Sequence, residues 1–378
     1  MKIFNKSEWK KVKLGDICDI LDSRRIPISE EKRIKGKYPY YGANGIQGYI
    51  NDYIFDEELV LLAEDGGNFG SKTKPIAYKI NGKTWVNNHA HVLKAKNKII
   101  STDFLLYSLM FYDVTKLITG TTRKKLTRTG MEKITLFIPN LDMQEKITNY
   151  LQKIEKFISL RKNQLNYLKE LNKSLFTTMF GDIKSNDKNW EVKKIGEVVQ
   201  TQYGTSKKAT SVPTEFPILR MNNITYSGEM NYKDLKYIVL NNDEKEKFLL
   251  KKGELLFNRT NSKELVGKTG LFNLDIPMAF AGYLIRIKPS RLINSKFLLF
   301  FMNSKFMKKV LYNKAKNIVG MANINAKELE DFSIILPPIE LQNKFAERVE
   351  KIEKLKFTIW KIILKVYETL KKKGVESN

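Results

Sequence analysis

The chain repeats itself at long range. Trp9 is followed, after four residues, by Leu14-Gly15-Asp16-Ile17, and Trp190 is followed at the same interval by Ile195-Gly196-Glu197-Val198. Each copy later reaches a proline-marked approach to a helix, Ile138-Pro139-Asn140-Leu141-Asp142-Met143-Gln144 and Leu336-Pro337-Pro338-Ile339-Glu340-Leu341-Gln342. A period this long implies two similar globular units in tandem, not a short-period solenoid. Trp9 and Trp190 stand 181 positions apart, whereas Pro139 and Pro337 stand 198 apart, so the second copy is 17 residues longer between landmarks. The frame is shared while loop length drifts.

Four segments follow. Residues 1–140 read as short β-type runs (Leu59–Ala63, Pro75–Ile80, Thr135–Ile138) separated by the turn signals Asn44-Gly45, Asp65-Gly66-Gly67 and Asn81-Gly82. One helix is expected from Asp103 to Leu117, capped by Ser101-Thr102. From Asp142 to Phe180 there is neither proline nor glycine, and Ile147, Leu151, Ile154, Ile158, Leu165, Leu168, Leu171 and Leu175 fall on one helical face. Gly181 is a natural stop, which leaves a rod of about 58 Å. Residues 182–337 repeat the first pattern, with Gly253–Phe257 paralleling Leu59–Ala63 and Asn294-Ser295 paralleling Ser101-Thr102. The last segment, 338–378, is a second rod, with Phe345, Ile352, Ile359 and Val366 seven apart and Leu355 and Ile362 between them. The fold expected is mixed α/β. Globules 1–140 and 182–337 alternate with long helices 141–181 and 338–378, whose apolar stripes are most simply covered by one another, with the globules at opposite ends if the two helices form an antiparallel coiled-coil spacer; each helix packed on its own globule is the alternative.

Charge narrows the partners. Lys and Arg number 67 against 41 Asp and Glu, a net +26, and such a surplus favours a polyanion. No run of ~18 apolar residues is present, and Met1–Lys6 lacks the apolar stretch of a signal peptide, so a cytoplasmic protein without a membrane partner is expected. The single cysteine, Cys18, excludes an internal disulfide and a multi-cysteine zinc site. No catalytic set stands out. Val266-Gly267-Lys268-Thr269 looks like the end of a phosphate loop, but Ser262 stands where that motif needs glycine, so a strand-to-strand turn is expected. His89 and His91, the only histidines, lack a third ligand marked by sequence, and no metal site is expected. Triplets such as Glu191-Val192-Lys193 arise by chance in a lysine-rich chain, so a hidden acidic nuclease site stays open as an alternative.

Polar and basic loops recur in both globules instead. In the first they offer Tyr41, Asn44, Lys72, Lys74, Asn87, Asn88, His89, Arg123, Lys124 and Lys125. In the second they offer Arg220, Asn222, Asn223, Arg259, Asn261, Lys263, Asn317 and Asn323. Arg and Lys suit guanine edges and phosphates, and Asn suits adenine, so these are the candidate nucleic-acid contacts.

The layout as a whole resembles the specificity subunit of type I restriction-modification systems. The resemblance rests on the duplicated Trp-x4-Leu/Ile-Gly-Asp/Glu-Ile/Val start and on Gly120 leading to Pro139-Asn140-Leu141 and Gly320 leading to Pro337-Pro338-Ile339. Gln144 and Gln342 and the Phe180-Gly181-Asp182 exit complete it. The acid that precedes the glutamine in that family is replaced here by Met143 and Leu341. The resemblance implies that each globule reads one half of a bipartite double-stranded DNA site and that the rods set the unread gap. It implies further that two modification (methyltransferase) subunits and the restriction (translocase/nuclease) subunits dock on this chain. By the same resemblance, S-adenosylmethionine, ATP and Mg are expected on those partners and none on this chain. The alternative is a stand-alone tandem nucleic-acid adaptor without enzyme partners.

Overall fold

The Trp-x4-Leu/Ile-Gly signature marks the same construction in each half: a short strand, one helical turn that buries Leu14 and Ile17 (or Ile195 and Val198), and a strand leading into the main sheet. In the computed structural model the backbone is described for residues 8–318 and 321–372; Met1–Lys6 and Gly320, both used in the sequence reading, lie outside the described residues. The chain divides into two compact units, one of residues 1–163 with 360–378, the other of residues 164–359.

In the first unit β1 (Lys10–Lys13) pairs antiparallel with β10 (Thr135–Ile138). A four-stranded antiparallel sheet has the order β2 (Cys18–Ile20), β9 (Ala90–Ala95), β6 (Leu59–Ala63), β7 (Ala77–Ile80). A second sheet runs β4 (Gly45–Ile50), β3 (Tyr38–Gly42), β8 (Lys83–Val86), β5 (Phe55–Asp56), with β3 and β8 parallel. All five residues of β6 are buried, because both of its faces pack on apolar clusters: Val60 and Leu62 on one, Leu59 and Leu61 on the other.

The second unit repeats this plan, with the main sheet matched strand for strand and the smaller sheets altered. Here β11 (Glu191–Lys194) pairs with β22 (Ser333–Leu336), and the main sheet is β12 (Val199–Tyr203), β19 (Leu284–Pro289), β15 (Leu255–Asn258), β17 (Thr269–Leu271). The second sheet is β14 (Lys236–Ile238), β13 (Phe216–Leu219), β18 (Ala279–Phe280), again with one parallel pair, β13 and β18. A third sheet of β16 (Thr260–Asn261), β21 (Met321–Asn323) and β20 (Lys316–Ile318) is answered in the first unit only by single bridges, Asp65–Lys125 and Thr119–Lys125. Register corrects one expectation. Leu255 lies opposite Ile287 as Val60 lies opposite Leu93, so Gly253–Phe257 was one residue out against Leu59–Ala63, a slip that turns every side chain to the wrong face.

The helix expected over 103–117 stops earlier, at Thr102–Leu109. The chain turns away where the Asp113 carboxylate takes the backbone N–H and hydroxyl of Thr115, a local bond that competes with helix. In the second unit the matching helix Ser295–Met302 is followed by another, Lys305–Lys314, capped by Ser304.

The long helices run Leu141–Phe180 and Ile339–Lys372. Each first turn is fastened to its globule by a fully buried glutamine. Gln144 accepts from Ser101 N–H at 2.9 Å and donates to the Ile99 and Pro139 carbonyls; Gln342 accepts from Asn294 N–H at 2.9 Å and donates to the Leu292 and Pro337 carbonyls. Within the second unit the helices are antiparallel. Phe176 and Phe180 meet Phe345, Met179 meets Arg348, and Glu229 takes both Lys169 and Lys356.

The seam of the second rod differs from its sequence reading. Phe345, Ile352 and Ile359 are buried, but Leu355 and Ile362 are exposed, and Val349 and Ile363 are buried instead, with Val366 half-buried. The partners of the heptad line lie four residues on, not three, and Lys356 at one of those places hid the pattern by carrying a charge. In the first rod Ile147 and Ile158 are buried and Leu151, Ile154, Leu165 and Leu168 half-buried, whereas Leu171 is exposed and Asn172 takes its place inside.

Candidate nucleic-acid interface

Each main sheet delivers its loops to one corner. In the first unit the chain leaves β6 as Glu64-Asp65 and enters β9 through Asn87–His89, and the segment 119–125 returns beside them. The Asp65 carboxylate receives His89 Nδ1 and Arg123 Nη2, both at 2.7 Å. The Asn87 side chain accepts from His89 N–H at 2.8 Å and donates to Gln47 at 3.0 Å. Asn44 donates to the Gly66 carbonyl and accepts from Asn68. Alongside lies a cleft of about 330 Å³ lined by Arg33, Tyr40, Gln47, Asn87, Asn88 and His89.

Behind that surface sits a closed charge network. Glu64 takes Arg25 at 2.5 Å and Lys125 at 2.9 Å. Burial alone would raise the Glu64 carboxyl, but the hydrogen bonds from Lys125 and Arg25 outweigh it and hold the group below its ordinary range. Asp22 behaves alike: burial opposes ionisation, and His91, through hydrogen bond and charge, wins. His91 has an acceptor on each ring nitrogen, Asp22 at 2.6 Å and the Leu126 carbonyl at 2.8 Å. Asp22, Glu64 and His91 bring potential metal-ligand atoms within 4.8 Å of one another, but Arg25 reaches both carboxylates. The donor set faces a guanidinium.

In the second unit the equivalent corner follows β15. The Leu126 N–H bonds the Glu64 carbonyl, and the Ile324 N–H bonds the Arg259 carbonyl in the same way, so Arg259 occupies the place of Glu64 and Asn323 that of Lys125. The Arg259 guanidinium lies 4.9 Å from the centre of the Tyr203 ring and reaches the Gly282 carbonyl at 3.4 Å and the Asn323 amide oxygen at 3.5 Å, both long for hydrogen bonds. Asn261 is within 3.9 Å of the Met221 sulfur, and Lys263 lies over the Tyr312 ring. The Val266–Thr269 stretch is the turn into β17; Gly267 has φ +79°, and a Cβ there would meet Leu311 at 2.6 Å.

The sequence candidates therefore separate. Asn44, Asn87, Asn88, His89, Arg123 and Lys125 come together at the first corner, and Arg259, Asn261, Lys263 and Asn323 at the second. Lys72, Lys74, Lys124 and Asn222 are exposed. Tyr41 packs inward, 5.8 Å from the Tyr78 ring. Asn223 is buried and spent on the Arg220 N–H and the Asn231 and Lys233 carbonyls, so its amide is a bracket of the fold, while Arg220 itself donates to the Asp234 carbonyl. Asn317 lies in β20 opposite Ala322, its side chain outside the described residues. Gln47, Asp65 and the Arg25–Glu64 pair were missed. Asp65 read only as a turn residue, and no local spacing links Arg25 to Glu64.

Comparison with known proteins agrees with the duplication. The family described as "Type I restriction modification DNA specificity domain" matches residues 6–170 and again 187–367. The type I restriction enzyme MjaVIII specificity subunit of Methanocaldococcus jannaschii is 24% identical over 383 residues, covering 92% of this chain and 87% of that one. The EcoKI specificity subunit of Escherichia coli is 23% identical over 351 residues, covering 83% and 75%. Among solved structures, a type I restriction-modification S subunit from M. genitalium superposes with a TM-score of 0.61 at 15% identity, covering 99% of this chain and 97% of its own.

Proposed function

The chain belongs to the type I restriction modification DNA specificity family, and from that premise we propose that its two corners are the DNA-reading surfaces, one for each half of a bipartite site. It is the specificity subunit of a type I restriction-modification system. One observation carries the assignment of the corners. The frame is held by the same bonds in both units, while the side chains at matched positions of the corner, at its surface and just behind it, differ in kind: Glu64 and Lys125 against Arg259 and Asn323. A domain whose scaffold is constant and whose corner varies is built to read different letters.

In this reading Arg123, His89 and Asn88 meet base edges or phosphates in the first unit, and Arg259, Asn261 and Lys263 do so in the second. The chain supplies no chemistry. Two modification subunits transfer the methyl group, with S-adenosylmethionine bound on them, and restriction subunits hold ATP and Mg. The long helices set the unread gap, and the assembly works in the cytoplasm. The test is methylome sequencing of cells with and without the gene. A gene-dependent bipartite motif is expected, and replacing residues 1–140 by a relative's first globule should change only one half of it. No gene-dependent motif, or both halves changing together, would sink the reading.

A further inference from the structure

The second unit buries lysine ammonium groups that no carboxylate balances among its described residues. Lys268 is 6% exposed, and its ammonium donates to the Met221 carbonyl at 2.9 Å. Lys308, on the helix Lys305–Lys314, donates to the Gly267 carbonyl at 2.9 Å and lies 5.7 Å from the centre of the Tyr226 ring. Among the described residues neither ammonium has a carboxylate partner. An ammonium left with neutral partners in a low-dielectric site is costly. Burial first, then the neighbouring Lys268 charge, bring Lys308 down to about 8, and burial lowers Lys268 as well.

The first unit has no such feature at the matching place. Ala63 N–H bonds the Ile76 carbonyl, and Asn258 N–H bonds the Lys268 carbonyl, so Ile76 stands where Lys268 does. Beside Lys268 the fully buried Asn258 leaves both amide atoms unpaired. The helix carrying Lys308 is also peculiar to the second unit, since the first turns at Asp113 instead. The pair borders the reading corner through the residues it bonds. Its carbonyl partners belong to Met221, which follows Arg220 and touches Asn261, and to Gly267, whose N–H bonds Asn258.

We propose that Lys268 and Lys308 form a seat for one phosphate of the nucleic-acid backbone, with Tyr226 at its rim, and that only the second unit has it. The seat rests on the reading of these corners as DNA surfaces. The phosphate supplies the counter-charge that the fold withholds, and its oxygens take the ammonium hydrogens left over. Lys268 and Tyr226 are the titratable groups facing Lys308 from the elements packed on it. A bound phosphate restores the Lys308 proton, so affinity is full below pH ~8 and falls as pH rises beyond it.

The experiment titrates the full chain with a random-sequence duplex of about 30 base pairs over a range of KCl concentrations. Lys268→Met and Lys308→Met should each weaken binding several-fold, the double variant about tenfold, and the double variant should flatten the log–log salt slope by about 0.9 per phosphate lost. Lys308→Arg should bind nearly as the parent does, and Lys252→Met, removing an exposed charge paired with Asp275, should change neither quantity. Thermal melting should show the methionine variants at least as stable as the parent. Should they unfold, the pH dependence of the parent decides alone: affinity flat from pH 7 to pH 9 overturns the seat. If the parent does not bind duplex at all, the DNA reading and the seat fall together. If the parent binds with a steep slope and the double variant binds identically, the seat alone falls. The same holds if inorganic phosphate at matched ionic strength stabilises the parent and not the double variant while DNA binding is unaffected.

Discussion

Where β6 ends, the first unit places Ala63, Glu64 and, across the strand, Ile76; where β15 ends, the second places Asn258, Arg259 and Lys268. The backbone bonds are the same and the chemistry is reversed. The opposite end of the sheet differs too, but without a reversal. Glu57 and Glu58 pair with Arg24, Lys94 and Lys79 in the first unit, while Lys251, Lys252, Glu254, Lys288 and Arg291 line a cleft of about 550 Å³ in the second, where Lys288 matches Lys94 in register. The difference teaches that this frame is stabilised from within, by apolar strands and by the glutamine brackets at the rods. Polar groups at the strand ends are therefore free to change sign without changing topology.

The sharpest test of a common frame is the bracket. Gln144→Leu and Gln342→Leu each strip one backbone N–H and two carbonyls of a buried partner, and each should cost about 3 kcal/mol in urea denaturation. Losses that differ by more than about 1.5 kcal/mol would mean that the two frames are held by different means. A smaller effect contrasts the cores beneath the corners. Ala63→Asn should cost about 2 kcal/mol by burying an unmatched amide, whereas Asn258→Ala, which removes one, should cost less than about 1 kcal/mol. Equal costs in the two units would erase the contrast.

The smallest effect is in pH. Asp22 and Glu64 titrate below their ordinary values, so the stability they contribute is present above the unfolded carboxyl range near ~4 and is lost as pH falls through their lower folded values. The second corner carries Arg259 in place of Glu64. Amide exchange should therefore show the first unit's β6 and β9 loosening ahead of β15 and β19 as the solution is acidified below about pH 4. Simultaneous loosening would argue against a network particular to the first unit.

Much of the frame was legible in the residues. The Trp-x4-Leu/Ile-Gly signature, the proline approach with its glutamine and the unbroken 142–180 stretch each state a local rule that packing does not override. The seam of the second rod was misread because Lys356 buries its stem while keeping its charge, and an apolar Leu355 beside it made the better pattern. The site was less legible. Asn223 and Tyr41 have the chemistry of base readers, but Asn223 closes the short helical turn Met221–Asn223 and spends its amide there, while the facing of Tyr41 is set by its register in β3. The partners that fix His89 and Arg123 converge on Asp65, which is distant in sequence from both. Buried charge was hidden for the same reason: Lys268 looked like the tail of a loop motif, and only β17 shows what covers it.

The closing strand pair has a consequence for biosynthesis. Lys10 finds its partner only in Ile138, and Glu191 only in Leu336, so each globule's first strand waits for almost the whole of its domain to be made. At roughly 5–20 residues per second that wait is about ten seconds, with an unpaired edge available to any neighbouring chain. The first waiting strand reads Lys-Lys-Val-Lys, so two nascent copies would set lysine against lysine and repel. The second reads Glu-Val-Lys-Lys, which an antiparallel copy can meet Glu to Lys, so charge guards the first edge and leaves the second open before the chain has a surface with which to bind anything.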